Sequence, residues 1–407
     1  MKVKLAILGA GSRGLLSYAP YALQYPDEVE IVAVAEPRQW FREKAVNDFK
    51  IKTENTFNSY QDFFLKDKMA DAVIIATQDD DHKIPAITAM KKGYHVLLEK
   101  PMATTAKDCK EIVKVAKKTN SILAVCHVLR YTPYFKKIKE IIDSKVLGQI
   151  TTINHQEKVG YWHYAHSYVR GNWNNEKKSS PMILAKSCHD LDILNYLIGK
   201  KCIKLSSFGS LTHFKKENMP INASKRCIDC EYSDGKCNYS AKEFYLSKLK
   251  NGNQWPLNTI TQDFTKEGVL KALEKTDYGK CVYLSDNDVV DNQVLSLEYE
   301  DQITVNFSMV GTSKDSLRKT EIYASNGEIS GNGSEIKLRL FNKEDQIFTP
   351  SNKTEGVDGG HLGGDEGIMR DFIKAISTNN PSYLTSGPDV SLEAHLMAFE
   401  AEKYRKA

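Results

Sequence analysis

Three stretches of this chain carry residue types spaced for chemistry. The first is Gly9-Ala-Gly11-Ser12-Arg13-Gly14. Its glycines permit a tight turn and let backbone amides approach a pyrophosphate at the positive end of a helix. Glu36 lies 22 residues past Gly14, where a carboxylate accepts hydrogen bonds from both ribose hydroxyls of a dinucleotide. A 2′-phosphate would be repelled there, which favours NAD over NADP. Arg38 pulls the other way, since it could pair with a phosphate or stack on adenine. The plain alternative is a glycine turn that holds no ligand.

The second stretch, from His155 to Trp173, is dense in rings and imidazoles and holds one arginine. Trp162, His163 and Trp173 could cover the C–H faces of a sugar, while Arg170 could clamp a carboxylate or phosphate. An aromatic-rich interface loop is the competing reading. The third is Cys227-Ile-Asp-Cys230, then Cys237, with Cys281 further on. Four thiols so spaced could hold a structural zinc ion, which would explain how a polar segment keeps a shape without a core. Oxidised pairs or ordinary free thiols remain open. Near the C-terminus, Gly359-Gly-His361-Leu-Gly-Gly-Asp365 is either a site segment or a flexible lead-in to a helix capped by Asp365.

These groups need elements to place them. Val3–Leu8, Val29–Ala35, Ala72–Ala76, His95–Leu98 and Ile122–Val125 are short, continuous and apolar, as buried strands are. Between them Phe41–Phe49, Ile84–Lys92 and Ala106–Lys118 carry apolar residues at helical spacing. Such alternation implies a parallel sheet with helices on both faces. A helix over Tyr134–Ser144 follows, and the texture then changes. Ile150–His155, Ile203–His213, Val289–Tyr299 and Ile303–Val310 alternate inward and outward, which suits a mixed or antiparallel sheet with one open face. One helix, about Met182–Ile198, sits between the first two of these strands. Residues 214–280 fit neither period and read as an insertion. Two helices, Gly367–Ser377 and Val390–Tyr404, close the chain.

The 407 residues point to two or three domains, with 41% hydrophobic and 27% charged residues giving ample material for a core. Disorder, collagen and small disulfide scaffolds are excluded. With 56 Lys+Arg against 52 Asp+Glu, the charge of +4 is too weak to argue for nucleic acid or an anionic membrane surface. No stretch approaches the roughly 18 apolar residues of a membrane span. The N-terminal apolar run is too short for a signal peptide before glycines and Arg13 interrupt it. A cytoplasmic protein is expected, its eight cysteines being thiols or metal ligands.

Glu99-Lys100-Pro101 after the fifth strand completes a pattern that resembles the glucose–fructose oxidoreductase/inositol dehydrogenase (Gfo/Idh/MocA) family. Ala76-Thr77 and His82 after the fourth strand agree with it, as do Arg130 and Pro133 after the sixth, and His189 with Asp192 on a later helix. The resemblance implies an α/β protein: an N-terminal Rossmann dinucleotide-binding domain, 1–125, plus a C-terminal α+β domain, 126–407. The latter would carry a large open-faced mixed or antiparallel sheet for substrate binding and oligomerisation, as a homodimer or homotetramer, with the final helices returning to the first domain. It also implies an NAD(H) site that includes Thr77, His82, Glu99, Lys100 and Pro101, and a nicotinamide at the domain junction facing a sugar or polyol. Lys100 matches the lysine beside the reacting hydroxyl, His189 the acid–base histidine, and Arg130 and Asp192 fall among substrate-binding positions. Carbinol oxidation needs a base for the hydroxyl proton and a cation for developing alkoxide, roles within reach of an imidazole and an ammonium.

One departure stands out. Many family members carry an aspartate four residues before the histidine, whereas this chain has Ala185-Lys186-Ser187-Cys188-His189. On one helix Lys186 and His189 would share a face and both reach one substrate. The change casts doubt on the usual proton relay. Two functions stay open: an NAD-dependent oxidoreductase acting on a sugar, polyol or sugar derivative, or an NAD-dependent glycosidase or sugar-rearranging enzyme that oxidises transiently, eliminates and re-reduces with retained cofactor.

Overall fold

Five apolar runs and the two-residue edge strand β3 form a wholly parallel sheet: β1 (Val3–Leu8), β2 (Val29–Ala35), β3 (Thr56–Phe57), β4 (Ala72–Ile75), β5 (His95–Leu98) and β6 (Leu123–Val125). The computed structural model describes residues 2–251, 255–350 and 362–407. Strand order is β3-β2-β1-β4-β5-β6. Because side chains alternate across a strand, β1 feeds two cores. Leu5 and Ile7 join a cluster with Phe41 and Val128 on one face, and Ala6 and Leu8 join another with Met90 and Ile112 on the other. Each such side chain, fully buried, stabilises the fold by about 1.5–3 kcal/mol. The helix Gly364–Ser377 packs Ile368, Phe372 and Ile373 into the first cluster.

A second sheet of eight strands is mixed. It comprises β7 (Ile150–Gly160), β8 (Cys202–Ser210), β9 (Asn292–Tyr299), β10 (Thr304–Ser313), β11 (Arg318–Ala324), β12 (Gly327–Gly331), β13 (Ile336–Leu340) and β14 (Gln346–Phe348), in the order β14-β13-β12-β11-β7-β10-β9-β8. β10 runs parallel to β7 and antiparallel to β9. Its alternation is regular: Ile153, Val305 and Phe307 are buried, while on the other face Thr304 bonds Thr152 at 3.0 Å and Asn306 bonds Asn154 at 3.2 Å. The last four strands, absent from the sequence reading, are short and punctuated by Gly327, Gly331 and Asn342, which blurs a period of two.

Contacts divide the chain into two compact units, 1–151 with 188–202 and 322–400, and 152–187 with 203–321 and 401–407. In the second unit, residues 214–280 are not featureless. Helices Ala241–Ser247, Leu257–Ile260 and Lys266–Lys275 enclose a small core of Tyr245, Leu257, Val269 and Leu273. The first two are too short to show a helical period. The helix expected over 182–198 is also two helices, Met182–Ala185 and Cys188–Ile198, broken at Lys186 and Ser187.

Candidate functional site

The glycine turn links β1 to a single wide helical turn, Ser12–Tyr18, whose end is closed by the Ala19 amide on the Gly14 carbonyl. Gly9 has φ +91° and a Cβ there would lie 2.5 Å from the Ala76 carbonyl oxygen; a Cβ on Gly14 would lie 2.2 Å from that of Gly9. These two glycines are required by the turn's own packing. Gly11 differs, because within 4 Å its added Cβ would meet only the guanidinium end of Arg38, at 3.0 Å. The space over Gly11 is therefore left for something outside the turn, and a pyrophosphate fits it. Glu36 ends β2, buried, and Arg38 binds its carboxylate through Nε at 2.7 Å and Nη2 at 3.0 Å while covering the Phe41 ring. The acid expected to meet a ribose is thus held by the arginine expected to compete with it.

Arg13 is turned inward. Its Nε donates to Glu99 at 2.6 Å and its Nη2 to Asp365 at 2.6 Å, with the Tyr18 hydroxyl completing the cluster. Burial alone would raise the Glu99 carboxyl, but Arg13, then Lys100, and the Tyr18 hydroxyl hold it below the ordinary carboxylate range. A cofactor contact was expected of both Arg13 and Glu99. Their polar atoms instead tie the glycine turn, the end of β5 and the last part of the chain together, and Asp365, read from sequence as a helix cap, is the buried partner. His82 receives similar treatment, its Nδ1 lying 2.7 Å from the Pro101 carbonyl and its Nε2 3.3 Å from that of Thr77. His361 falls outside the described residues.

Around Lys100 the first unit gathers three imidazoles. His127 lies two residues past the end of β6, and its ring centroid is 5.8 Å from that of His189 and 5.4 Å from that of His395. The Lys100 charge is felt at Glu99, His127, Cys188 and His395. His395 is locked as a neutral ring: Nδ1 bonds the Ser391 carbonyl at 2.7 Å and Nε2 accepts the Met102 amide at 2.8 Å. Burial, then the neighbouring His127, push it down to about 3. His127 is fully buried, and neither ring nitrogen has a hydrogen-bond partner among the described residues. Burial, then Arg130 and Lys100, push it well below its ordinary value.

Arg130 and Asp192 close on each other. Two guanidinium nitrogens reach the carboxylate at 2.6 and 2.7 Å and the third donates to the Thr385 carbonyl at 2.6 Å. Both are buried, and burial raises the Asp192 carboxyl against the pull of Arg130. Asp192 Oδ1 stands 3.9 Å from His127 Nε2. The pair therefore buttresses the imidazoles. Sequence reasoning missed His127, although its position two residues past a strand end was a signal. It missed His395 too, which nothing local marks.

The second unit treats its expected residues differently. Arg170 is buried, with Nε on the Lys280 carbonyl at 2.7 Å, Nη2 on that of Tyr239 at 2.8 Å and on Cys227 Sγ at 3.4 Å. Trp162 stacks on Phe244 at 5.5 Å and meets Trp255 at 5.5 Å; His163 meets Trp255 at 5.1 Å. Trp173 lies 6.1 Å from Tyr168. Within this unit Trp162, His163 and Arg170 pack on the insertion. Lys186 pairs with buried Glu157 at 3.5 Å, which Arg318 also meets at 2.7 Å. Since the helix breaks after Ala185, the expected shared face with His189 does not exist. The three insertion cysteines and Cys281 are free thiols lining one small cavity.

A glycine turn at the β1/β4 switch point of such a sheet, with a lysine and histidine at the adjoining strand ends, defines a dinucleotide-dependent oxidoreductase. The chain belongs to the Gfo/Idh/MocA oxidoreductase family. Residues 3–127 match its NAD-binding Rossmann fold and residues 139–387 its C-terminal alpha/beta domain. The resemblance stated from the motifs is thereby established. Among curated relatives, YteT of Bacillus subtilis, named as an oxidoreductase, is 24% identical over 74% of this chain and 72% of its own length. Inositol 2-dehydrogenase of Salmonella typhimurium is 26% identical over 49% of this chain and 56% of its own. A 2,7-anhydro-N-acetylneuraminate hydratase of Mediterraneibacter gnavus is 25% identical over 66% of each. An Agrobacterium radiobacter oxidoreductase, solved with NAD+, L-tartaric acid and magnesium, shares the fold at TM-score 0.71 and 14% identity, covering 100% of this chain and 97% of that one. Among the described residues, no helix is long and apolar enough to cross a membrane.

Proposed function

We propose that this chain oxidises or reduces a hydroxyl-bearing carbon of a sugar, polyol or sugar derivative, with NAD(H) held over Gly9, Gly11 and Gly14. The observation that carries the reading is the gathering of Lys100, His127 and His189 beyond the ends of β5 and β6. When bound, the dinucleotide supplies hydride exchange at the reacting carbon. Lys100 holds the substrate oxygen and stabilises negative charge developing on it, and His189 takes up or returns the hydroxyl proton. His127, neutral and dry, offers a ring nitrogen to a second substrate hydroxyl. Arg130 and Asp192 act by fixing the imidazoles, and His395 by fixing the Met102 amide after the Lys100-Pro101 turn. Glu36, released by Arg38, is the ribose-binding acid.

The hydratase relatives favour a second reading, in which NAD is retained and recycled through transient oxidation, elimination and water addition. That chemistry needs acid–base groups beyond Lys100 and His189. One experiment separates the two. Cofactor is released from freshly purified protein by denaturation and quantified by mass spectrometry. Near-stoichiometric NAD(H), with substrate turned over and no net NADH, supports recycling. A site that fills reversibly, with NADH formed in proportion to product, supports the dehydrogenase. Bound NADP would overturn the assignment of Glu36.

A further inference from the structure

We propose that Cys227, Cys230, Cys237 and Cys281 form a structural zinc site that holds the 214–280 insertion in shape. The proposal is independent of the oxidoreductase reading, because nothing in that chemistry uses these residues. Two stretches well separated in sequence, 227–237 and the segment at Cys281, deliver the four thiols to the wall of one cavity, and none of them is in a disulfide. Chance placement of free cysteines gives no reason for this convergence.

Local backbone geometry agrees. Each cysteine opens a tight turn in which its carbonyl accepts an amide three residues on: Cys230 to Cys227 at 3.4 Å, Ser233 to Cys230 at 2.9 Å, Ser240 to Cys237 at 3.1 Å and Leu284 to Cys281 at 3.0 Å. Two of the turns also aim an amide at sulfur, Tyr239 at Cys237 and Tyr283 at Cys281. The Arg226–Lys280 bridge and the Cys281 amide on the Lys225 carbonyl, 2.9 Å, hold the distant cysteine beside the CxxC turn.

Charge is balanced as such a site requires. Four thiolates on one divalent ion leave a net charge of −2, which a dry environment tolerates only beside a cation. The buried guanidinium of Arg170, 3.4 Å from Cys227 Sγ, is that cation. Folding gives a motive as well, since the insertion's own core is small and a segment of that kind is usually stapled. On binding, four S–H bonds break, four Zn–S bonds form and four protons leave to solvent. Among the described residues, no group of three or more His, Cys, Asp or Glu stands in a metal-holding arrangement. The ion must therefore draw the thiols from the cavity wall to a common centre.

Elemental analysis of the purified full chain, kept reduced, is the test. About one zinc per chain is expected for a four-thiolate structural site, and Co2+ exchanged into it should give sulfur-to-metal charge-transfer and intense d–d bands of tetrahedral thiolate coordination. Cys230→Ser and Cys237→Ser should each abolish stoichiometric zinc, whereas Cys202→Ser, outside the insertion, should retain it. Should the first two variants fail to fold, metal content and cobalt spectrum of the unaltered chain still decide. Metal-free protein with four accessible thiols, a mass lowered by disulfide formation, or iron with inorganic sulfide would each overturn the proposal.

Discussion

Arg170 and His127 are both nearly sealed from water, yet they stand in opposite chemical states. Arg170, in the second unit, has its guanidinium nitrogens committed to two backbone carbonyls and a thiol. His127, in the first, has two ring nitrogens with no hydrogen-bond partner among the described residues. A buried polar atom without a partner costs about 1–3 kcal/mol, a cost that His127 bears and Arg170 does not. Burial and charge alone therefore do not mark a site. In the first unit it is the unsatisfied imidazole gathered near Lys100 that does.

The largest effect that could break this contrast is catalytic. Replacing Lys100 by Met should lower kcat/KM by about 1,000-fold, the scale of a lost charge-stabilising or proton-handling group, with Tm shifted by no more than about 2 °C. His127→Phe keeps the ring and removes the unpartnered nitrogens. It should cost about 100-fold in activity while leaving Tm unchanged or raised, since replacing an unsatisfied polar group by an apolar isostere is neutral or stabilising. Steady-state kinetics beside thermal unfolding checks both. A His127→Phe enzyme of full activity would show the imidazole to be mere filling.

Arg170 should behave in the reverse way. Arg170→Leu strands the Lys280 and Tyr239 carbonyls and should destabilise the protein by about 3 kcal/mol. Per folded molecule, kcat/KM should stay within about threefold, since the guanidinium is committed to internal partners. Denaturant unfolding with activity corrected for folded fraction measures both. A stable Arg170→Leu protein with a sharply raised KM would return the arginine to the substrate-clamping role that its sequence context suggested.

What the sequence disclosed depended on whether the signal was local. β1, β2 and β5 matched their apolar runs because a buried parallel strand is a continuous hydrophobic segment. The Gly9–Gly14 turn and Glu99-Lys100-Pro101 were legible because each acts through adjacent residues. The partners that complete the centre were hidden by distance along the chain. Asp365 reaches Arg13 across 352 residues and His395 reaches the Met102 amide across 293, and no period encodes such a pairing. The break at Lys186 was masked for another reason. Met182, Ile183, Leu184 and Ala185, and then Cys188, Leu191, Ile193 and Leu194, are all buried, so the apolar pattern runs through the interruption as though one helix carried it.

Acid should act on both regions alike. His395 and His166 are pushed down to about 3, chiefly by burial, and His127 well below its ordinary value, again chiefly by burial. An unfolded histidine takes up its proton near 6.5. Between that pH and about 3, the unfolded chain binds protons at His395 and His166 that the folded chain refuses, and stability must fall as pH falls. Each imidazole that stays neutral contributes stability fully present above 6.5, of which about 2 kcal/mol is lost by pH 5. The Glu99 carboxyl, held below its ordinary range, adds its own loss only at lower pH. Tm measured from pH 8 to 4.5 should be level and then drop below about 6.5. Replacing the fully buried His395 by Gln, which keeps a carbonyl acceptor for the Met102 amide, should flatten that drop by one histidine's share. An unchanged slope in His395→Gln would mean that this imidazole is protonated in the folded protein, against the neutral tautomer that its bonds to Ser391 and Met102 impose.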